Sequence, residues 1–189
     1  MDANLPLTAA SQAAFPWLSL IVLLPAAMAL LMPLLPGDDS SQSPLPRNLA
    51  IGVLLVDLVL MRVVFSQHFD PSDSSLQLVE RVSWVPSIGL EWSLGADGLS
   101  APLVVLSGLV TLLSVAASWN VQHKTNLYFG LLLVQASAQG LVFLSQDFLL
   151  FFLSWELELV PVYLLIAIWG GSLSLIHISE PTRLGMISY

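Results

Sequence analysis

Two glutamates, Glu156 and Glu158, lie inside the apolar run from Phe148 to Trp169. A helical segment of about 20 apolar residues is long enough to cross a lipid bilayer. A charged side chain at that depth is costly unless it is paired, hydrated or protonated, so such residues are typical of ion and proton pathways. The two acids therefore predict proton-handling or cation-handling chemistry near the middle of a membrane.

The spacing of these acids separates their roles. At 3.6 residues per helical turn, Glu156 and Glu158 point to nearly opposite faces and cannot form one carboxylate pair. Pro161 has no N–H to donate to the carbonyl of Leu157, and a carbonyl freed in this way can hold water beside both acids. We predict Glu156 as the proton-loading carboxylate and Glu158 as a secondary site. A structural role for either, paired with another helix or subunit, stays open.

The composition is that of a membrane protein and limits the kinds of site. The chain has 189 residues, of which 56% are hydrophobic and 10% charged, whereas soluble domains carry about 25% charged residues. It has no cysteine, and its three histidines are scattered without metal-ligand spacing. There is no glycine-rich phosphate loop and no basic patch. We therefore predict no metal or cofactor in this chain and no nucleic-acid partner.

Five segments are long and apolar enough to span a membrane, which predicts an all-α polytopic membrane protein. The long connection between the second and third segments alternates apolar and polar residues on both sides of Val85-Pro86-Ser87. That pattern predicts a β-hairpin on the membrane surface. The predicted spans are approximately residues 16–35, 48–65, 99–119, 127–145 and 148–169.

Basic residues predict the orientation of the spans. Arg47 and Lys124 lie in the first and third connections, which are on the same side of the membrane. Because cytoplasmic loops carry an excess of Lys and Arg, that side is predicted to be cytoplasmic and the N-terminus non-cytoplasmic.

Polar residues also occur inside other spans. Gln135 and Gln139 lie on one face of the fourth span, and their amides should face protein or water rather than lipid. Asp57 lies near mid-depth in the second span, where we expect it to pair with another helix.

Two long motifs carry a family resemblance. WVPSIGLEWSLGADGLSAPLVVLSGLVTLL (84–113) and FFLSWELELVPVYLLIAIWGG (151–171) resemble the antiporter-like chain 4 of cyanobacterial and chloroplast NAD(P)H–quinone oxidoreductases. These enzymes belong to the respiratory complex I family. The resemblance covers most of residues 16–171, and sodium/proton antiporter subunits are similar to it more distantly.

The resemblance implies a fold and a function. It implies a helical bundle in the membrane arm of a complex that couples electron transfer to proton transport. NAD(P)H or ferredoxin, iron–sulfur clusters and a quinone such as plastoquinone would lie elsewhere in that complex. Its key acid maps onto Glu156, whose partner lysine lies on a seventh helix; Lys124, in a connection, is not its equivalent. The implied partners are other membrane-arm subunits and the lipid bilayer, in a cyanobacterial thylakoid or plasma membrane.

The end of the chain differs in character from the rest. LSLIHISEPTR and LGMISY look like a translated sequencing adapter, so residues 172–189 are predicted to be non-native. Residues 1–171 are then expected to be an N-terminal fragment that does not translocate protons by itself. A subunit of a cation/proton antiporter and a purely structural subunit remain the alternatives.

Overall fold

A computed structural model describes residues 15–35 and 44–170. Within those residues, five helices are long and apolar enough to cross a membrane. They are α1 (Trp17–Leu31), α2 (Leu45–His68), α3 (Ser100–Ala117), α4 (Thr125–Leu144) and α5 (Phe148–Trp169). The predicted all-α membrane bundle is thereby confirmed, while the predicted adapter tail, residues 172–189, lies outside the described residues.

The helix ends fall close to the predicted ones. The last helix has the predicted bounds, whereas α2 starts at Leu45 and ends at His68, three residues further out at each end. Proline in the first turn of a helix costs no hydrogen bond, so Pro46 fits inside the start of α2. Pro25 and Pro161 are buried inside α1 and α5, and both helices continue through them.

α4 is the central helix of the bundle. It packs against α1, α3 and α5, while α2 packs against α1, α3 and α4. Small residues bring α4 close to α1, since a Cβ added at Gly130 would lie 3.6 Å from the Ala29 carbonyl oxygen and one at Gly140 would lie 3.4 Å from Val22. In a membrane, close approach of this kind allows the van der Waals packing that holds helices together.

The buried apolar side chains form two clusters, one toward each end of the bundle. The first, here called the hairpin-end cluster, includes Leu18, Ile21, Val22, Met61, Val64, Val104, Leu141 and Leu144. The second, the far-end cluster, consists of Ala29, Met32, Ala50, Leu54, Val115, Phe129 and Leu133. Each of the four helices α1 to α4 contributes to both clusters, so these helices share one interior.

The predicted hairpin is present between α2 and α3. Strands β1 (Gln77–Val85) and β2 (Leu90–Ala96) pair antiparallel, with Val82 opposite Trp92. Gly89 closes the turn with a φ of +70°, a left-handed conformation that glycine adopts without strain. The hairpin packs at the end of the bundle where α1 and α5 begin and α4 ends.

A carboxylate from this hairpin caps the first helix. Pro16 precedes α1 and offers no side-chain hydrogen bond to it. Instead, Glu80 accepts hydrogen bonds from the backbone N–H groups of Leu18 (2.6 Å) and Ser19 (3.0 Å). The Trp92 indole N–H donates to Ser19 Oγ at 2.8 Å. The hairpin therefore supplies the acceptors that the start of a helix needs.

The hairpin also holds the connection between α4 and α5. The backbone N–H of Gln146 donates to the Ser93 carbonyl at 2.8 Å, and Leu94 bridges to Ser145. The start of the glutamate-bearing helix is thereby fixed relative to the hairpin.

Candidate functional site

Both ends of α5 are anchored. At its start, Asp147 Oδ1 accepts from the backbone N–H of Leu150 at 2.8 Å, which is a helix N-cap. At its end, the Trp169 indole N–H donates to the His123 carbonyl at 2.9 Å. The Trp169 ring also meets Tyr128 of α4 edge-on, with ring centroids 5.1 Å apart. The contacts of Trp169 hold the end of α5 against the start of α4.

Glu158 faces α4. Its Oε1 accepts hydrogen bonds from Gln135 Nε2 at 2.9 Å and Gln139 Nε2 at 3.2 Å. Two glutamines four residues apart on a helix lie on one face, so they reach the same oxygen. The prediction that these amides face protein is confirmed, although the sequence did not identify Glu158 as their partner.

Glu156 lies on the outer face of α5. It is exposed, as are its neighbours on that face, Phe152 (50%), Leu159 (52%) and Tyr163 (71%). Neither α4 nor α5 carries a lysine, arginine or histidine. The helix bearing Glu156 and the helix packed against it therefore supply no counter-charge, and the carboxylate faces outward from the described bundle.

The two acids diverge as predicted and do not form a carboxylate pair. On the inner face, Ser154 is 2% exposed and donates through Oγ to the Leu150 carbonyl at 2.6 Å, and Pro161 is also buried. The part of the chain that the structure describes holds no group of three His, Cys, Asp or Glu side chains placed to bind a metal. The proton-loading role of Glu156 and the secondary role of Glu158 stay predictions.

Outside the spans, Asp97 organises the start of α3. Its Oδ1 accepts from the backbone N–H groups of Ser100 (2.7 Å) and Leu99 (3.0 Å), while Ser100 Oγ accepts from the Asp97 N–H. The Ser100 backbone hydrogen bond is the main cause that holds the pKa of Asp97 below its ordinary value. Hydrogen bonds that stabilise the charged form act in this direction.

Comparison with known proteins identifies relatives of this chain. No family model matches the chain. A curated Synechococcus protein named NAD(P)H–quinone oxidoreductase chain 4 is 59% identical to it over 157 residues, or 83% of this chain. Over this stretch the chain is homologous to NAD(P)H–quinone oxidoreductase chain 4. Proteins of the same name from Synechococcus elongatus and a Synechocystis species are 56% and 52% identical over the same length.

The homology to chain 4 confirms the resemblance inferred from the two motifs. The chain spans between a quarter and a third of the curated relatives it matches, 29% of the first Synechococcus protein and 28% of the Synechocystis protein. The five apolar helices and this homology together make it an integral membrane protein.

A solved structure shares the fold. A chain of the archaeal membrane-bound sulfane sulfur reductase, a respiratory membrane complex, superposes with a TM-score of 0.62 over 79% of this chain and 23% of its own length. The two sequences are 19% identical, so this likeness supports the helix arrangement and nothing finer.

Proposed function

We propose that this chain forms part of a proton-translocating membrane-arm subunit of an NAD(P)H–quinone oxidoreductase, with Glu156 as the carboxylate that loads and releases the proton. The observation that carries this proposal is the position of Glu156: it lies near the middle of a membrane span, and neither its own helix nor α4 offers a cation. An acid in that position needs a partner from elsewhere, and a partner that moves would change its protonation.

The proposed division of labour follows from the hydrogen bonds. Glu158 is held by Gln135 and Gln139, so its side chain has a fixed position against α4. Glu156 has no such restraint and is accessible from the outer face. We propose that a lysine in the rest of the subunit, as the family resemblance implies, lies opposite Glu156.

The energy of such a pair is sufficient for coupling. Two opposite charges 4 Å apart attract by about 4 kcal/mol at an effective dielectric constant of about 20. Separating the pair by a conformational change therefore costs enough to drive a proton onto the glutamate, because one pH unit corresponds to about 1.4 kcal/mol.

The electron-transfer groups belong to other subunits in this proposal. The chain has no cysteine, so it cannot hold an iron–sulfur cluster through thiolates. NAD(P)H or ferredoxin would deliver electrons, and a quinone would accept them, in subunits that contact this one in a cyanobacterial membrane. This chain contributes two acids, Glu156 and Glu158, on different faces of one helix.

The test is Glu156→Gln in the full-length subunit of the assembled complex, with Glu158→Gln as the matched control. Quinone reduction and proton uptake are measured in inverted membrane vesicles, and assembly is followed on native gels. We expect Glu156→Gln to abolish proton uptake while the complex assembles. Glu158→Gln keeps an acceptor oxygen for the two glutamines and should reduce uptake less.

Two outcomes would contradict this assignment. Proton uptake at the wild-type level in the Glu156→Gln complex would exclude Glu156 as the loading site. Loss of assembly in Glu156→Gln but not in Glu158→Gln would favour a scaffolding role for the outer face of α5.

A further inference from the structure

The interior of the four helices α1 to α4 contains one acidic residue, Asp57. Leu54, one turn before it on α2, belongs to the far-end cluster, and Met61, one turn after it, belongs to the hairpin-end cluster. Asp57 therefore lies at the level between the two apolar clusters. Near the middle of the neighbouring helices lie buried hydroxyls, Thr111 on α3 and Ser137 on α4.

Asp57 is enclosed by the described chain itself. Its side chain is 3% exposed. The Oδ1 atom is buried and has no hydrogen-bond partner within residues 15–35 and 44–170. The expected pairing of Asp57 with another helix is therefore not seen at this atom. The described chain therefore covers nearly all of the residue.

The helices around Asp57 offer no charge of either sign. α1 and α3 contain no titratable residue, and α4 contains only Tyr128. Tyr128 lies in the first turn of α4, and its hydroxyl is already 2.9 Å from Ser118 Oγ. On α2 itself, the nearest basic residue is Arg62, which is five positions away and exposed. At five residues along a helix, two side chains do not face each other.

An ionised carboxylate is unfavourable in such a place. The surrounding side chains are apolar or neutral, and a buried charge without a counter-charge or hydrogen-bond donors is strongly unfavourable. A protonated carboxyl group is neutral and has an O–H to donate. The hydroxyls of Thr111 and Ser137 already donate their protons to backbone carbonyls, so neither is free to donate to a carboxylate at this level.

We propose that Asp57 is an internal proton-binding site in the four-helix interior, separate from the acids of α5. Its ligand is a proton, bound on the carboxylate. The site lies on the other side of α4 from Glu158, so the bundle would hold ionisable groups on both sides of its central helix. This inference does not depend on quinone reduction or on any partner subunit.

Isotope labelling isolates this site because Asp57 is the one aspartate within the five helices of the described residues. The 189-residue chain is produced with ¹³C at the aspartate side-chain carboxyl and reconstituted in phospholipid vesicles. Infrared and solid-state NMR spectra at pH 6, well above the ordinary aspartate pKa, then distinguish a protonated carboxyl from a carboxylate. We expect one of the eight aspartates to remain protonated.

Two variants assign the signal. Asp57→Asn is close in shape and neutral, and it should remove the protonated-carboxyl signal completely. Asp97→Asn removes an exposed aspartate outside the spans and should leave that signal unchanged. If Asp57→Asn does not fold, sequential ¹³C–¹⁵N correlation of the wild-type chain assigns the signal without a mutation.

Either of two results overturns the proposal. One is a wild-type spectrum in which all eight aspartates are ionised at pH 6. The other is a protonated signal that persists in Asp57→Asn or is assigned to a different aspartate.

Discussion

Removal of the Glu80 side chain should destabilise the start of α1. Its carboxylate accepts from the backbone N–H groups of Leu18 and Ser19 and, at 2.5 Å, from Ser19 Oγ. Glu80 itself is 7% exposed. A buried N–H left without a partner costs about 1–3 kcal/mol. Glu80→Ala leaves the buried N–H of Leu18 and the partly buried N–H of Ser19 without this acceptor. We therefore expect a loss of about 3 kcal/mol in the free energy of unfolding.

Glu80→Gln should be milder. It keeps one acceptor oxygen but loses the negative charge at a helix N-terminus, which is worth about 0.3–1 kcal/mol and up to about 2 kcal/mol when partly buried. We expect a loss of about 1–2 kcal/mol. The order of stability is therefore wild type, Glu80→Gln, Glu80→Ala.

The measurement is equilibrium unfolding of the purified chain in mixed micelles of increasing sodium dodecyl sulfate content, followed by tryptophan fluorescence. A loss of about 3 kcal/mol changes the unfolding equilibrium constant by about two orders of magnitude. Glu91, exposed on the opposite strand of the same hairpin, provides the control. Glu91→Ala should stay within about 0.5 kcal/mol of wild type. Equal effects of Glu80→Ala and Glu91→Ala would refute the capping role.

Two further predictions concern the same end of the bundle. Asp97→Asn should destabilise the chain by about 1 kcal/mol, because a helix-start acceptor is weakened. Since the pKa of Asp97 is lowered on folding, the contribution of Asp97 to the free energy of unfolding is present above the ordinary aspartate pKa and is lost as the pH falls through the lowered value. Wild type and Asp97→Asn should therefore converge in acid unfolding scans. Gly95→Ala should lower the free energy of unfolding by about 1–3 kcal/mol by overpacking, because a Cβ there would lie 2.9 Å from Leu76 Cγ. Gly98 has open space around it, so Gly98→Ala should show no such steric loss in the same assay.

The helices were the most predictable part of this fold. Apolar runs of sufficient length have few alternatives in a bilayer, since the backbone must satisfy its own hydrogen bonds. The bounds of α2 were less predictable. The helix extends from Leu45 to His68, and its ends are too polar to be recognised as part of a membrane span. The alternation of apolar and polar residues predicted the hairpin, but it did not predict the irregular strand pairing between Gln77 and Glu80.

The contacts between distant residues could not be read from the sequence. The divergence of Glu156 and Glu158 follows from helical geometry alone. That Glu158 meets Gln135 and Gln139 depends on the rotation of α5 against α4, which packing decides. The same holds for Glu80, although one signal was visible: Pro16 precedes an apolar helix start that has no capping side chain.

The link between Glu80 and α1 has a consequence for biosynthesis. Leu18 and Glu80 are 62 positions apart, and ribosomes add roughly 5–20 residues per second. Leu18 is therefore translated roughly 3–12 seconds before its acceptor, Glu80. During that interval the beginning of α1 relies on water or lipid headgroups, and only the arrival of the strand completes it.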